Sequence, residues 1–377
     1  MKKKVIRIST VPMSLNLLLE GQLKMLSADY EVVAVSSPGK DLEEVARREG
    51  VRTVAIPMER RISPLKDLVS LYQLIALFRK ERPWMVHSLT PKAGLLAMLA
   101  SRLCHVPVRI HTFTGLVFPS ATGLKRQLLM ATDRLTCSCA TLINPEGRGV
   151  KRDLERFNIT KKTLYIIGNG NINGIDLDYF SRTPEVMQQA ERYTEKDCTT
   201  FCFVGRIVGD KGINELVAAF THLYQSHPDI QLLLVGPLEE QLDPVTPETR
   251  AAIEHHTAIH FVGWKDDIRP FLAASDIFVF PSYREGFPNV VLQAGAMDLP
   301  CIVTDINGCN EIISHGVNGL IIPPKNTVKL EAAMKKLLLD PHLRKQISRK
   351  ARLWIAERYE RKALWEKLKK VYQMTVD

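Results

Sequence analysis

Arg206 and Lys211 stand five residues apart in RIVGDKGINELVAAF, the first directly after a β-type run and the second at the mouth of a helical one. Two cations on a glycine-punctuated loop that enters a helix can grip a diphosphate from the side, and the unpaired amides of the first helical turn add to the hold. Each cation taken alone reads more readily as a solvated side chain at a strand end. A second constellation lies downstream in REGFPNVVLQAGAMDLP, residues 284–300. Its one carboxylate ahead of the helical run is Glu285, and Gln293 is the only polar side chain between Val290 and Met297. Pro288 is expected at the first helical position, with Phe287 and Asn289 beside it, which aims first-turn amides at the adjoining crevice. Glu285 could then hydrogen-bond sugar hydroxyls, and Gln293 could reach a ribose. The alternative is structural: Glu285 caps the helix or pairs with Arg284, and Gln293 finds a core partner, since an unpaired buried amide costs roughly 1–3 kcal/mol.

Such residues act together only if the fold brings their loops to one edge. Apolar β-type runs alternate with amphipathic stretches along the whole chain: VIRIST, EVVAVSS, VRTVAIP, MVHSLT, VRIHTFT, ATLIN and LYIIGN, then TFCFVGR, IQLLLVGP, IHFVGW, DIFVFPS, CIVTD and GLIIPP. That alternation predicts an α/β fold of parallel strands joined by crossover helices. At 377 residues the chain is too long for the usual single core, so two doubly wound domains are expected. Their functional loops would emerge at the carboxyl ends of the strands. The stretch GNGNINGIDLDYFSRTPEVMQQAERYTEKD, where strand periodicity stops, reads as the linker. The expected division is 1–180, 181–357 and a C-terminal helix, 358–377, that returns to the first domain. From near His342 the tail is charged and helical and carries Trp354, Tyr359, Trp365 and Tyr372, aromatics suited to docking on the body.

Net charge is +10, and all of the excess lies in the first half: residues 1–180 hold 27 Lys and Arg against 16 Asp and Glu. It is densest from Arg82 to Lys162, with 13 basic against 4 acidic residues. One basic domain beside a balanced one suggests an anionic surface as partner, with solvated helix faces as the plain alternative. Nucleic acid is disfavoured, because no aromatic-interleaved basic strand or recognition helix is evident. Seven cysteines without a C-x-x-C pair favour a reducing cytoplasm and no structural metal. The start, MKKKVIRISTVPMSLNLLLEG, opens like a signal peptide, but Arg7, Pro12, Asn16 and Glu20 interrupt it, so it reads as a first strand. No window approaches the roughly 18 apolar residues of a spanning helix.

The ordered run FVGRIVGDKG, LLLVGP, IHFVGW, ASDIFVFPS, REGFPNVVLQAGA, IVTDINGCNEII and GVNGLIIPP, over about residues 200–325, resembles the nucleotide-binding domain of retaining glycosyltransferases of family 4. TPKAGLLAMLAS, RIHTFTGL and GNGNINGID make the first half similar to bacterial members that build capsule, O-antigen or other glycan chains on lipid carriers. The resemblance implies the GT-B fold, two Rossmann-like domains facing across a cleft. By the same resemblance Arg206, beside Gly205, and Lys211 would neutralise the donor diphosphate in place of a metal. Glu285 would contact the donor sugar, and the backbone of Phe287, Pro288, Asn289 and Val290 would bind the distal phosphate. Residue 293 would hold the ribose, and the stretch from Trp264 and Lys265 to Asp266 would border the base. His111, taken to end a strand of the first domain, would face the transferred sugar from the acceptor side, with a satisfied strand-end histidine as the alternative; His87 and His105 read as structural.

Two departures from the family pattern stand out. Its second glutamate is Gln293 here, which loses a charge-assisted bond and predicts weaker or altered nucleotide binding. The usual glycine pair of the first loop is replaced by STVPMS, so Thr10 or Ser14 hydroxyls would meet the acceptor phosphate or the donor. Asp176 and Asp178, in DLD, have the spacing of a metal-binding pair but follow NGI in the linker and read as a helix entry. No metal or cofactor is expected. The implied reaction is retaining transfer from a nucleotide sugar, UDP-linked, to a lipid-diphosphate-linked saccharide. It would take place at the inner face of the cell membrane, with the basic first domain against anionic lipid. The rivals are a nucleotide-sugar epimerase on the same plan, a basic nucleic-acid-binding protein, and a sugar-nucleotide binder without catalysis, for which Gln293 is the sole support. Donor turnover and product analysis separate them.

Overall fold

The computed structural model describes residues 2–239, 241 and 243–374. The chain forms two compact units, Met1–Gly174 with Lys362–Asp377, and Ile175–Arg361. In the first unit, strands β1 (Lys4–Ile8), β2 (Glu31–Ser36), β3 (Arg52–Ala55), β4 (Met85–Leu89), β5 (Val108–Phe113) and β6 (Leu142–Pro145) make one sheet. Their order is β3-β2-β1-β4-β5-β6, and every pairing is parallel. The strand period of two sends Ile6, Ile8, Val33, Val35 and Val86 to one face and Val5, Val32, Ala34 and Met85 to the other. Both faces are covered, as a parallel sheet requires, which is why these strands read as unbroken apolar runs. LYIIGN, expected as a seventh strand, contributes a single bridge from Leu164 to Ile143. The chain then turns, with Gly170 N–H bonded to Ile167 O at 3.2 Å, and leaves the sheet edge.

The first face is covered by three helices side by side, Pro64–Glu81, Pro91–Leu103 and Gly123–Cys139. On the second face lies the C-terminal helix Arg361–Met374, with Leu364, Leu368, Val371 and Tyr372 in the core. Its docking is locked by polar contacts as well as apolar ones. The Tyr372 hydroxyl accepts from Arg7 Nη1 at 3.1 Å and lies 2.7 Å from His87 Nδ1, while His87 Nε2 lies 2.7 Å from Thr112 Oγ1. Burial, with the nearby Arg7 guanidinium, holds the His87 pKa well below its ordinary value. The charged tail is therefore two helices, Pro341–Tyr359 and Arg361–Met374, broken at Glu360. The break divides the four aromatics. Trp354 and Tyr359 bond within the second unit, to Ile312 O at 3.0 Å and Glu311 O at 2.9 Å, whereas Trp365 and Tyr372 belong to the first.

The second unit repeats the winding with β7 (Thr199–Val204), β8 (Ile230–Val235), β9 (Ile259–Gly263), β10 (Ile277–Phe280), β11 (Cys301–Thr304) and β12 (Gly319–Ile322). All six expected strands form, in the order β12-β11-β10-β7-β8-β9. In each sheet the order reverses at one place, between β1 and β4 and between β7 and β10, where the loops at the strands' carboxyl ends part to leave a crevice. Among the described residues no helix is long and apolar enough to cross a membrane.

Candidate active site

Arg206 follows β7, and Lys211 closes the turn Gly209–Lys211 before the helix Ile213–Ser226; Glu285 follows β10. Because β7 and β10 are neighbours, their outlet loops meet. Lys211 Nζ is ion-paired with Glu285 Oε1, each side chain 16% exposed, and Ser282 Oγ donates to the same carboxylate oxygen at 2.9 Å. Arg284, the neighbour weighed as a partner for Glu285, bonds instead to Asp210 Oδ2 at 2.9 Å. The approach of the two loops depends on Gly212, whose φ is +71°. A Cβ there would sit 2.8 Å from the Pro281 carbonyl carbon, closer than any side chain tolerates. Arg206 is the more solvated cation, with Nη1 2.9 Å from Glu239 Oε2.

The helix after Glu285 runs Asn289–Ala296, so Pro288 is its N-cap, one residue ahead of the expected first helical position. Its backbone is extended, with ψ 107°, and Phe287 before it is buried edge-on against the Tyr359 ring at 5.5 Å, which anchors the turn. Val291 N–H bonds to Pro288 O at 3.1 Å, and the first turn opens at Asn289 and Val290. Pro288, the N-cap, has no side chain that can cap the helix, and Glu285 Oε1 is taken by Lys211 and Ser282. Gln293, one turn beyond Asn289 on the same side, is half-buried, and among the described residues its amide has no hydrogen-bond partner. Gly205 lies between β7 and Arg206. Trp264 and Lys265 follow β9, two strands from β7; the Trp264 ring is exposed and its Nε1 donates to Asp266 Oδ1 at 3.2 Å.

In the first unit His111 is the fourth of six residues in β5, inside the strand and not at its end. It is 1% exposed, its Nδ1 2.9 Å from Ser88 Oγ and its ring edge-on to Phe113. The imidazole occupies the space left by Gly94, where a Cβ would lie 2.7 Å from Nδ1. Burial lowers its pKa to about 3, so the ring is neutral at ordinary pH. Thr10 joins the outlets of β1 and β4: its Oγ1 is 2.8 Å from Thr90 Oγ1 and accepts from Ala93 N–H at 3.1 Å. That hydroxyl is spent on the start of the helix Pro91–Leu103. Ser14, on the helix Pro12–Leu18, keeps a hydroxyl without a partner among the described residues. Asp176 is a turn residue, accepting from the amides of Asp178 and Tyr179 at 3.1 and 3.0 Å.

Several residues that shape the site carry weak sequence signals. Ser282 and Gly212 sit inside the quoted motifs, three residues before Glu285 and one after Lys211, where spacing could have singled them out. Ser88 and Gly94 could not be found that way, since each meets His111 only through the packing of β4, β5 and a helix.

Residues 187–354 match the family of glycosyl transferases group 1, and residues 20–170 match the glycosyl transferase 4-like domain. The chain is 30% identical over 372 residues to the capsular polysaccharide biosynthesis glycosyltransferase CapM of Staphylococcus aureus, covering 98% of this chain and 97% of that one. It is 28% identical over 281 residues to an Escherichia coli protein named UDP-Gal:alpha-D-GlcNAc-diphosphoundecaprenol alpha-1,3-galactosyltransferase, covering 73% of this chain and 71% of that one. Among solved structures it is similar to Anabaena HepE in complex with UDP, with a TM-score of 0.82 at 16% identity over 98% of this chain and 100% of that one. A sucrose-phosphate synthase from Thermosynechococcus elongatus gives 0.81 at 19% identity, covering 99% of each chain. With two parallel six-stranded sheets wound alike and matches along nearly its whole length, the chain is a glycosyltransferase of the bacterial surface-glycan type and belongs to family 4, with the GT-B fold.

Proposed function

We propose that the enzyme transfers a sugar, with retention at the anomeric carbon, from a UDP-sugar to a hydroxyl of a saccharide carried on a lipid diphosphate. The observation that carries this reading is the Lys211–Glu285 pair at the switch point of the second sheet, beside the first turn of the helix Asn289–Ala296. As the glycosyl bond breaks, positive charge develops on the sugar and negative charge on the departing diphosphate. Arg206, Lys211 and the backbone amides of Phe287, Asn289 and Val290 supply the compensating positive field, already in place before reaction; Pro288 has no N–H. Glu285, held by Lys211 and Ser282, is poised to accept from donor-sugar hydroxyls. Gln293 takes the ribose with its unengaged amide, and Trp264 to Asp266 border the base. The leaving phosphate oxygen takes the acceptor proton, so neither a metal nor a cofactor is required. On the first unit His111 is 1% exposed and packed beneath Gly94, so its neutral ring serves as a support under the helix Pro91–Leu103, and Ser14, with its unengaged hydroxyl, is better suited than Thr10 to the acceptor phosphate.

The E. coli relative's name supports a UDP-linked donor and a diphosphoundecaprenol-linked acceptor. Such an acceptor places the enzyme at the inner face of the cell membrane, where the basic first domain meets anionic lipid. The test is direct: purified protein, a panel of UDP-sugars and a lipid-diphosphate saccharide, with released UDP and the anomeric configuration of the product read by NMR. An inverted linkage removes the retaining claim. Epimerised donor without released UDP, or no reaction with any UDP-sugar, removes the transfer reading itself.

A further inference from the structure

We infer that the first unit holds the bilayer by inserting two apolar helix faces, one on the helix Pro64–Glu81 and one on the helix Gly123–Cys139, and not by charge alone. Pro64–Glu81 carries two apolar stripes where a surface helix has one. Leu71, Leu74, Ile75 and Phe78 pack on the sheet. Leu65, Leu68, Val69 and Tyr72, spaced i, i+3, i+4 and i+7, form a second stripe about a third of a turn round the helix from the first and are 58–83% exposed. The helix Gly123–Cys139 repeats the feature with Leu124, which is 84% exposed, and with Leu128 and Leu135 on the same side. One exposed leucine is ordinary, but two helically periodic rows are not. Both helices pack against Pro91–Leu103 between them, so the rows look outward from one layer, about 16–20 Å apart at the usual helix spacing.

The border of these rows selects a lipid surface. Arg60 and Arg61 precede the first row, and Lys125 and Arg126 interrupt the second. The two carboxylates nearby, Glu59 and Asp67, are neutralised by Lys66 and Lys92, and residues 121–132 contain none. Apolar rows edged by cations are the arrangement that sits at the boundary between acyl chains and anionic headgroups. Both helices start at the carboxyl edge of the first sheet, so insertion holds the loops of Thr10 and Ser14 near the headgroups. This choice of occupant rests on the proposed lipid-linked acceptor. The first row, on Pro64–Glu81, lies wholly outside the densest basic segment, Arg82 to Lys162, and the second, on Gly123–Cys139, lies within it, so substitutions in the first row separate the two modes of attachment.

The experiment uses the full chain and vesicles of phosphatidylethanolamine and phosphatidylglycerol in a three-to-one ratio. A Tyr72→Trp variant should gain blue-shifted emission on binding and be quenched by acyl chains brominated near the headgroup. Binding that survives high salt should fall about tenfold or more when Leu65, Leu68 and Leu124 are all replaced by serine. Arg60→Gln with Arg61→Gln should weaken binding at low salt only. Loss of all binding at high salt with no shift in Tyr72→Trp emission would overturn the inference. So would a triple serine variant that binds vesicles normally but loses a self-associated form on gel filtration, since a second copy would then cover the rows. Released UDP, measured with detergent-dispersed acceptor, should persist in the triple variant. Insertion without any sugar transfer by the unaltered chain would leave the attachment standing and remove the transfer reading.

Discussion

Lys211 and Glu285 lie 74 residues apart in the chain and form one ion pair, with Ser282 bonded to the same carboxylate oxygen. Both charges are thus set before any donor arrives, in a crevice where each is largely shielded from water. Preorganised charge of this kind does not need to be assembled during reaction, which is the main source of its catalytic value.

Lys211→Ala leaves the Glu285 carboxylate unpaired and mostly buried. The expected result is a stability loss of about 1–3 kcal/mol by urea unfolding, together with a fall in UDP release of about a hundredfold or more. Arg206→Ala should also cost turnover, but little stability, because its pair with Glu239 is exposed. Near-normal transfer by both variants would end the proposed role of the two cations.

Gln293→Glu restores a carboxylate where the amide now stands without a partner. Nucleotide binding, read by calorimetry with UDP, should be unchanged or tighter, by up to about tenfold, since a charge-assisted bond is roughly twice as strong as a neutral one. Abolished binding would take residue 293 away from the ribose.

Gly212→Ala forces a Cβ against Pro281 at a φ of +71°. The left-handed conformation alone costs about 1–2 kcal/mol, and the clash adds to it by pushing the Lys211 turn from β10. Reduced unfolding midpoint and weakened UDP binding should appear together. A variant as stable as the parent would show that the two loops are not held in contact.

Acid should unfold the protein through its buried histidines. Burial lowers the His111 pKa from 6.5 to about 3 and holds His87 well below 6.5. Below pH 6.5 the unfolded chain takes up protons that the folded one refuses, so the stability these rings contribute is complete above that pH and is lost as pH falls. Asp133 works in the opposite sense: burial raises its carboxyl from 3.8 to about 7, so its contribution is complete below 3.8 and lost as pH rises toward 7. His111 and Asp133 oppose each other one for one over the range they share, and His87 tips the balance toward loss below pH 6.5, by up to ~1.4 kcal/mol per pH unit while its ring stays neutral in the folded chain. Asp133→Asn removes the opposing group and should steepen that slope, checked by urea midpoints across the range. A flat stability profile would mean that the histidines are not held neutral.

What could be read along the chain is local. Every expected strand but one forms, because the strands of a parallel sheet are buried on both faces and must be apolar throughout. LYIIGN satisfied that pattern yet stayed outside the sheet, because the chain turns away after its first residue has made a single bridge. The cations after β7, the carboxylate after β10 and the amide at Gln293 were legible as a possible nucleotide site from residue type, order and spacing.

The sequence by itself determined the strands, the loops that follow them and the family. Only the tertiary structure decided the partners. Glu285 takes Lys211 and not the adjacent Arg284, His111 lies within a strand under Gly94, Thr10 spends its hydroxyl on Thr90 and Ala93, and Tyr372 closes on Arg7 and His87. The physical reason is that a strand's apolar run is a local requirement, whereas a side chain's partner depends on which strands lie side by side. That order, β10 beside β7 and β4 beside β1, follows from the winding of the crossovers and the burial of the whole sheet, which no short stretch contains.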